Sequence, residues 1–202
     1  ARVDTTLRRF TEFGYDVVPD STAVLGRYRA MRSSRLNALW GVRNVRYLAV
    51  VGYDALSAVQ DVKEGFEAGG LVGRSLALLG SRARIGFVGA ALYGGGGGPT
   101  TFVMLHARGE GRQDFDTDRW DDVIGSASLT WYWLAGARHT FVASGEYAGG
   151  WRVRAPFQLQ LGMEDGGERG YADSPIGGAQ RAVGRVESRW RIGEFGESAE
   201  YG

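Results

Sequence analysis

The stretch VIGSASLTWYW, residues 123–133, alternates between two kinds of side chain. One row is apolar and holds Val123, Gly125, Ala127, Leu129, Trp131 and Trp133. The other row is mostly polar and holds Ile124, Ser126, Ser128, Thr130 and Tyr132. Because successive side chains of a strand point to opposite faces, this pattern predicts a β-strand with one apolar face. Its length of about ten residues is what a tilted strand needs to cross a membrane.

The segment RAVGRVESRWRI, residues 181–192, separates charge from apolar groups even more sharply. Its charged row holds Arg181, Val183, Arg185, Glu187, Arg189 and Arg191. The opposite row holds Ala182, Gly184, Val186, Ser188, Trp190 and Ile192. A row of this kind cannot pack in the core of a β-sandwich, and on a lipid face each charge would cost about 2–4 kcal/mol near the membrane midplane. We therefore expect the charged row to face water, either in a lumen or outside a soluble sheet.

Alternation of the same kind continues along the rest of the chain. It predicts strands, about nine in all with the two above, at residues 82–93, 102–110 and 139–147 and, from weaker patterns, at 7–15, 34–48, 62–74 and 157–161. Polar or glycine-rich connections are predicted at 94–99, 111–121, 135–137 and 147–156. We expect the first of these to be a flexible outer loop and 135–137 to be a tight turn. Alternating short and long connections suit a membrane barrel, with brief periplasmic turns and longer outer loops.

The composition favours strands and excludes several classes of protein. The chain has 33 glycines, which disfavour helices, and 12% aromatic residues, which suit strands and membrane interfaces. It has no run of about eighteen apolar residues, which excludes transmembrane helices. The formal net charge of +1 gives no basic stripe for nucleic acid. The absence of cysteine excludes disulfides, thiol chemistry and thiolate metal sites.

Candidate catalytic and metal-binding groups are sparse. The two histidines, His106 and His139, have no carboxylate or second histidine at ligand spacing, so the sequence predicts no metal site. Ser126, Ser128 or Ser144 could supply a nucleophile beside His139, which an outer-membrane phospholipase would need. No Gly-x-Ser-x-Gly elbow occurs. We therefore predict that the chain is not an enzyme and uses no cofactor.

The most specific motif lies in LGMEDGGERGYADSPIGGAQRAVGRVESR, residues 161–189. A loop holds Gly167, Glu168, Arg169, Gly170 and Tyr171, and the charged strand with Glu187 and Arg189 follows it. This order resembles the BamA/TamA/two-partner-secretion (TpsB) transporter superfamily of bacterial surface antigen type outer-membrane barrels. In that family an outer loop carries a Gly-x-Arg-Gly-Tyr/Phe motif, and the next strand carries an apolar-x-Glu-x-Arg-like pattern. The match covers about residues 158–192, and Glu168 stands where the family usually has an apolar residue.

The loop motif also has a physical rationale as an anchor. A long loop inside a wide lumen needs an attachment to the wall, and Arg169 offers five donors and stays charged. A lumen-facing carboxylate can accept a bidentate pair from it, and Glu187, beside Arg189, is the candidate partner. Gly170 lets the backbone approach the wall, and Tyr171 adds contact area and a hydroxyl. The alternative is an ordinary turn with a surface arginine.

These patterns predict an all-β fold, an antiparallel up-and-down transmembrane β-barrel present as a partial, unclosed segment. Residues 1–202 are expected to form one partial barrel domain, with the anchor loop at about 162–180. The chain begins without Met and ends where a new strand starts, so we expect a longer parent protein with upstream periplasmic domains and downstream strands. The resemblance implies about sixteen strands in the closed barrel.

The resemblance implies a barrel of the bacterial outer membrane that inserts or secretes unfolded client polypeptide. Its partners would be outer-membrane lipid, the client protein and, as a further option, accessory periplasmic or lipoprotein partners, with no nucleic acid. One alternative is a passive outer-membrane pore or the barrel anchor of a periplasmic enzyme. A second is an outer-membrane lipid hydrolase, which requires Ser144 or a neighbour within hydrogen-bond reach of His139. A third is a soluble β-sandwich or small ligand-binding barrel, which requires Trp131, Trp133 and Trp190 in a dry core.

Overall fold

The structure is a computed structural model, and its described part covers a seven-stranded sheet and two small hairpins. The described residues are 8–11, 14–17, 34–55, 57–153, 159, 178–195 and 199–201. The strands are β1 (Arg8–Thr11), β2 (Gly14–Val17), β3 (Arg35–Val51), β4 (Val59–Ser75), β5 (Ile85–Gly97), β6 (Thr101–Asp114), β7 (Arg119–Leu134), β8 (His139–Trp151), β9 (Gln180–Trp190), β10 (Gly193–Phe195) and β11 (Ala199–Tyr201). A single 3₁₀ turn, Ala77–Leu79, lies between β4 and β5.

The main sheet has strict up-and-down topology. Its order is β3-β4-β5-β6-β7-β8-β9, and each strand pairs antiparallel with its neighbour in the sequence. Within the described residues β3 and β9 do not pair, so the sheet stays open. The prediction of an all-β, antiparallel, up-and-down and unclosed fold is confirmed. No helix among the described residues is long and apolar enough to cross a membrane.

The strongly alternating segments of the sequence lie in strands of this sheet. Residues 123–133 fall inside β7, and β9 covers most of 181–192. The prediction of one strand at 7–15 is wrong, because Arg8–Thr11 and Gly14–Val17 form two short strands that pair as a hairpin. Residues 157–161 lie outside the described residues except Leu159, which forms an isolated antiparallel bridge with Gly178.

Three predicted connections are shorter than the sequence indicated. The expected outer loop at 94–99 is wrong for its first four residues, because Gly94–Gly97 continue β5 and pair with Phe102–Leu105 of β6. Backbone hydrogen bonds from β6 hold these glycines extended, although they have no side chains to show a strand pattern. In the same way β6 and β7 extend into 111–121 and leave 115–118 as the turn, and β8 extends to Trp151. The predicted tight turn at 135–137 is confirmed.

The connections differ in length between the two ends of the sheet. We call one end the short-turn end, where the connections are 52–58, 98–100 and 135–138. We call the other the long-loop end, where the connections are 76–84, 115–118 and 152–179. The glycine run therefore lies at the short-turn end, which corrects its expected place in a long loop.

The sheet is strongly curved, so that the hairpin of β3 and β4 reaches the last strand, β9. The Gly52 carbonyl accepts a hydrogen bond of 2.6 Å from the Thr140 hydroxyl of β8. The Tyr53 carbonyl accepts one of 2.7 Å from the Arg189 guanidinium of β9. Because β3 and β9 are opposite edges of the sheet, these contacts require it to curl as barrel sheets do. The face that the hairpin covers is the concave face, and the opposite one is the convex face.

The hairpin of β3 and β4 closes over the concave face. The part that does so begins where the pairing of β4 with β5 ends, at Gly65–Gly95. We call its residues 46–64 the hairpin tip. A small apolar core forms beneath it, and Tyr53 and Phe102 are fully buried there. The core cluster is Val50, Tyr53, Val62, Phe102, Tyr132 and Val142, with Leu48, Met104 and Leu134 packed against it. The Tyr53 and Tyr132 rings stack with their centroids 4.7 Å apart.

Gly65 marks the start of the hairpin tip and adopts a conformation that other residues rarely reach. Its φ is 112°, and a Cβ there would lie 2.1 Å from the Asn44 carbonyl oxygen. Gly65→Ala is therefore expected to cost about 1–3 kcal/mol, since it adds both backbone strain and a backbone clash. Urea unfolding of the purified protein measures this cost.

Gly145→Ala is the matched control for this substitution. Gly145 lies in β8, and a Cβ there would meet nothing within 4 Å. Its effect on the unfolding midpoint should be small. Equal midpoints for the two variants would show that the bend at Gly65 is not required by the fold.

Candidate functional site

Outside the hairpin tip, the convex face carries no Asp, Glu, Lys or Arg along the middle of the strands from β3 to β9, over the residues that the structure describes. The pairing register assigns these positions. On β5, β6 and β7 they are Val88, Ala90, Leu92, Val103, Leu105, Ala107, Gly109, Gly125, Ala127, Leu129, Trp131 and Trp133. Large apolar groups on this face are exposed, such as Val186 at 82% and Leu129 at 48%. A contiguous exposed apolar surface of this extent marks an interaction with lipid or protein.

Aromatic side chains gather on the convex face near the short-turn end. The Trp131 and Trp133 rings stack at 6.2 Å, and Phe141 stacks on Trp133 at 5.4 Å. His139 lies against Phe141 at 4.1 Å and stacks on Trp190 at 3.7 Å. These rings form one continuous row across β7, β8 and β9, and Trp131, Trp133 and Trp190 remain 43–56% exposed.

A second aromatic level lies on the convex face toward the long-loop end. Trp120 of β7 and Trp151 of β8 are 38% and 56% exposed. The guanidinium of Arg152 lies 5.6 Å from the centre of the Trp151 ring. Two levels of this kind, separated by small and aliphatic residues, are typical of the interfacial girdles of membrane barrels.

The concave face holds the charges in ion pairs around a cavity of about 1070 Å³. Glu67 binds both Arg43 at 2.7 Å and Lys63 at 2.5 Å. On the opposite wall Arg185 binds Glu146 at 2.6 Å. Every oxygen and nitrogen that is buried in a described side chain has a hydrogen-bond partner. The cavity is thus lined by charged and polar side chains together with small apolar ones.

A polar cluster at the short-turn end joins β9 to the hairpin tip. Arg189 donates to Glu187 at 2.6 Å, to the Tyr53 carbonyl at 2.7 Å and to Asp54 at 3.3 Å. Tyr132 donates to Asp54 at 2.9 Å. The Tyr53 hydroxyl donates to the Gly98 carbonyl at 2.6 Å, and burial raises the pKa of this phenol. We call this set of contacts the Arg189 cluster.

The structure places two of the predicted site residues and leaves four outside its described part. Glu187 and Arg189 lie on the concave face, and they pair with each other along β9. Gly167, Arg169, Gly170 and Tyr171 lie outside the described residues, so the Arg169–Glu187 pair stays a prediction. The flanks of that loop are described, and Leu159, bridged to Gly178, lines the concave cavity.

Sequence reasoning missed the hairpin-tip half of the Arg189 cluster. Tyr53 and Asp54 occupy a turn, and nothing in their local sequence indicates a partner on a strand 135 positions away. The sequence offered only a weak signal for this contact. A turn that follows an apolar strand end carries an aromatic ring and a carboxylate.

The serine–histidine pairs considered from the sequence are not formed. Ser126, Ser128 and Ser144 lie on the concave face, whereas His139 lies on the convex face. The pairing of β7 with β8 puts their even-numbered residues on one face and their odd-numbered residues on the other. The neighbour of His139 is Ser188, with 2.8 Å between Nε2 and Oγ. His106 contacts the Tyr93 ring instead. No group of three His, Cys, Asp or Glu suited to a metal ion occurs in the described part of the chain.

Comparisons with known proteins give no family for this chain. No family model, no curated protein and no solved structure matches it. The motif at residues 158–192 is therefore a resemblance in sequence pattern alone.

Proposed function

We propose that this chain is part of an outer-membrane barrel that assembles or secretes other proteins, moving or inserting unfolded client polypeptide. The observation that carries the proposal is the separation of charge between the two faces along the middle of the curved sheet, outside the hairpin tip. Its convex face is apolar and exposed, and its concave face holds the ion pairs around Glu67, Glu146 and Arg189.

Lipid is the environment that this convex face fits. A soluble sheet with leucines and tryptophans outside would aggregate in water. In a bilayer the same surface is favourable, whereas a charge there would cost about 2–4 kcal/mol near the midplane. The soluble sandwich alternative required Trp131, Trp133 and Trp190 in a dry core, and they are instead 43–56% exposed.

The distance between the two aromatic levels also fits a membrane. Phe141 and Trp151 lie on the convex face of β8, ten residues apart. At about 3.4 Å per residue this is about 34 Å along the strand. A tilt of about 40° reduces it to a height of about 26 Å, close to the apolar band of about 25 Å in outer-membrane barrels. The short-turn end would then face the periplasm and the long-loop end the cell exterior.

The choice of client transport over a passive pore rests on the motif at residues 158–192 and on the position of Leu159. Leu159, which bridges Gly178, lines the cavity on the concave face together with Arg108 and Ala148. The predicted anchor motif, with Arg169, belongs to the connection between β8 and β9. A loop held in the lumen narrows a passive pore, whereas in the resembled superfamily it accompanies client handling.

Reconstitution of the full-length parent protein tests this function directly. Liposomes with the purified protein receive a urea-unfolded outer-membrane protein as client, and protease-protected client is measured over time. We expect client insertion several-fold faster than in protein-free liposomes. A passive pore predicts leakage of a small dye without faster client insertion, and that result would reject the transport function while keeping the membrane location.

A further inference from the structure

The hairpin tip covers the concave face at the short-turn end, where an open channel would have its mouth. Its turn contacts strands across the sheet: Gly98 after β5, Thr140 on β8 and Arg189 on β9. Beneath it lies the small apolar core with the fully buried rings of Tyr53 and Phe102. The tip therefore stands between the concave cavity and this end of the sheet.

The attachment of the tip to the far strand is concentrated on one side chain. Arg189 reaches the tip through the Tyr53 carbonyl and the Asp54 carboxylate, and Glu187 holds its guanidinium in place. From the tip, Asp54 also accepts a hydrogen bond from Tyr132. The contacts are charge-assisted and partly exposed, with the Asp54 side chain 61% accessible. Such contacts can break and form again without unfolding the strands.

We propose that the hairpin tip, residues 46–64, is a gate at the short-turn end of the channel and that Arg189 is its latch. This inference rests on the proposed membrane function, because a gate needs a channel. Opening swings the tip off Phe102 and Val142 and joins the concave cavity to the compartment at that end. Gly65, with its positive φ, lies where the tip leaves the sheet and is the hinge.

A cysteine reporter beneath the tip tests the latch without relying on transport. Val142 is 6% exposed under the tip, and the chain contains no native cysteine. In the full-length protein with Val142→Cys, and with any cysteine outside this chain replaced by serine, labelling by a water-soluble maleimide should be slow. Adding Arg189→Ala should speed it by about tenfold, because the tip loses charged hydrogen bonds.

Arg185→Ala is the matched control, and Asp54→Ala is the second variant. Arg185 lies on the same strand and the same face, and its ion pair is with Glu146 rather than with the tip. It should leave the labelling rate near that of the parent. Asp54→Ala acts from the exposed turn with little risk to folding, and it should give a smaller increase because Arg189 still binds the Tyr53 carbonyl. Equal rates for Arg189→Ala and Arg185→Ala would overturn the latch.

Conductance in planar lipid bilayers tests the gate itself. Arg189→Ala is expected to raise the open time of single channels about tenfold over the parent and over Arg185→Ala. Faster labelling with unchanged conductance would overturn the gate. A protein that labels as expected but never enters the bilayer would contradict the proposed membrane function, and the labelling result would still decide the latch.

Discussion

Arg169→Glu is expected to abolish client export by the full-length protein. Arg169 is the predicted anchor of the loop between β8 and β9, and Glu187 is its predicted partner on the concave face. Reversal of the arginine charge would place two carboxylates together in the channel, which at a buried pair costs about 2–5 kcal/mol. Exported client is measured in cells, together with the amount of folded barrel in the outer membrane.

The structure changes how the compensating substitution has to be designed. Glu187 already binds Arg189 at 2.6 Å, so Glu187→Arg alone removes the support of Arg189 and places two arginines side by side. Combined with Arg169→Glu, it should restore only part of the export. Glu187→Gln serves as the control, because it weakens both pairs without introducing repulsion. Export that is unaffected by Arg169→Glu, with normal barrel levels, would mean that the loop motif is an ordinary turn.

Leu129→Arg is expected to destabilise the membrane-inserted barrel by about 2–4 kcal/mol. Leu129 lies in the middle of β7 on the convex face, is 48% exposed and has no charged neighbour on that face within the described sheet. The physical reason is the cost of placing a guanidinium among lipid chains. Urea unfolding of the full-length protein in lipid vesicles, followed by tryptophan fluorescence, measures the change.

Thr130→Arg is the control for this substitution, since it adds the same side chain one residue further along β7 on the concave face. Its guanidinium can reach water in the cavity, so the loss of stability should be clearly smaller. If both arginines cost the same, or if Leu129→Arg makes the protein soluble without detergent, the convex face does not contact lipid.

Strand positions and faces were predictable wherever the alternation is strong. Residues 123–133 and 181–192 fall in β7 and β9, with Trp131 and Trp190 outside and Glu187 and Arg189 inside. The prediction failed where side chains carry no pattern. Gly94–Gly97 form strand because their partners on β6 supply the hydrogen bonds, which no local feature of a glycine run indicates.

The candidate site could be predicted only in part. Glu187 and Arg189 followed from a single strand, since charge in such a row has to face water. The partners Tyr53 and Asp54 did not follow, because they come from a turn 135 positions away and meet Arg189 only through the curl of the sheet.

The sequence by itself determined which side of each long strand is apolar, because covalent geometry points successive side chains in opposite directions. The tertiary structure alone decided that the hairpin of β3 and β4 folds over the concave face and that Arg189 contacts its turn. That outcome depends on the twist accumulated over seven strands and on the bend at Gly65, and both are properties of the whole sheet rather than of any one segment.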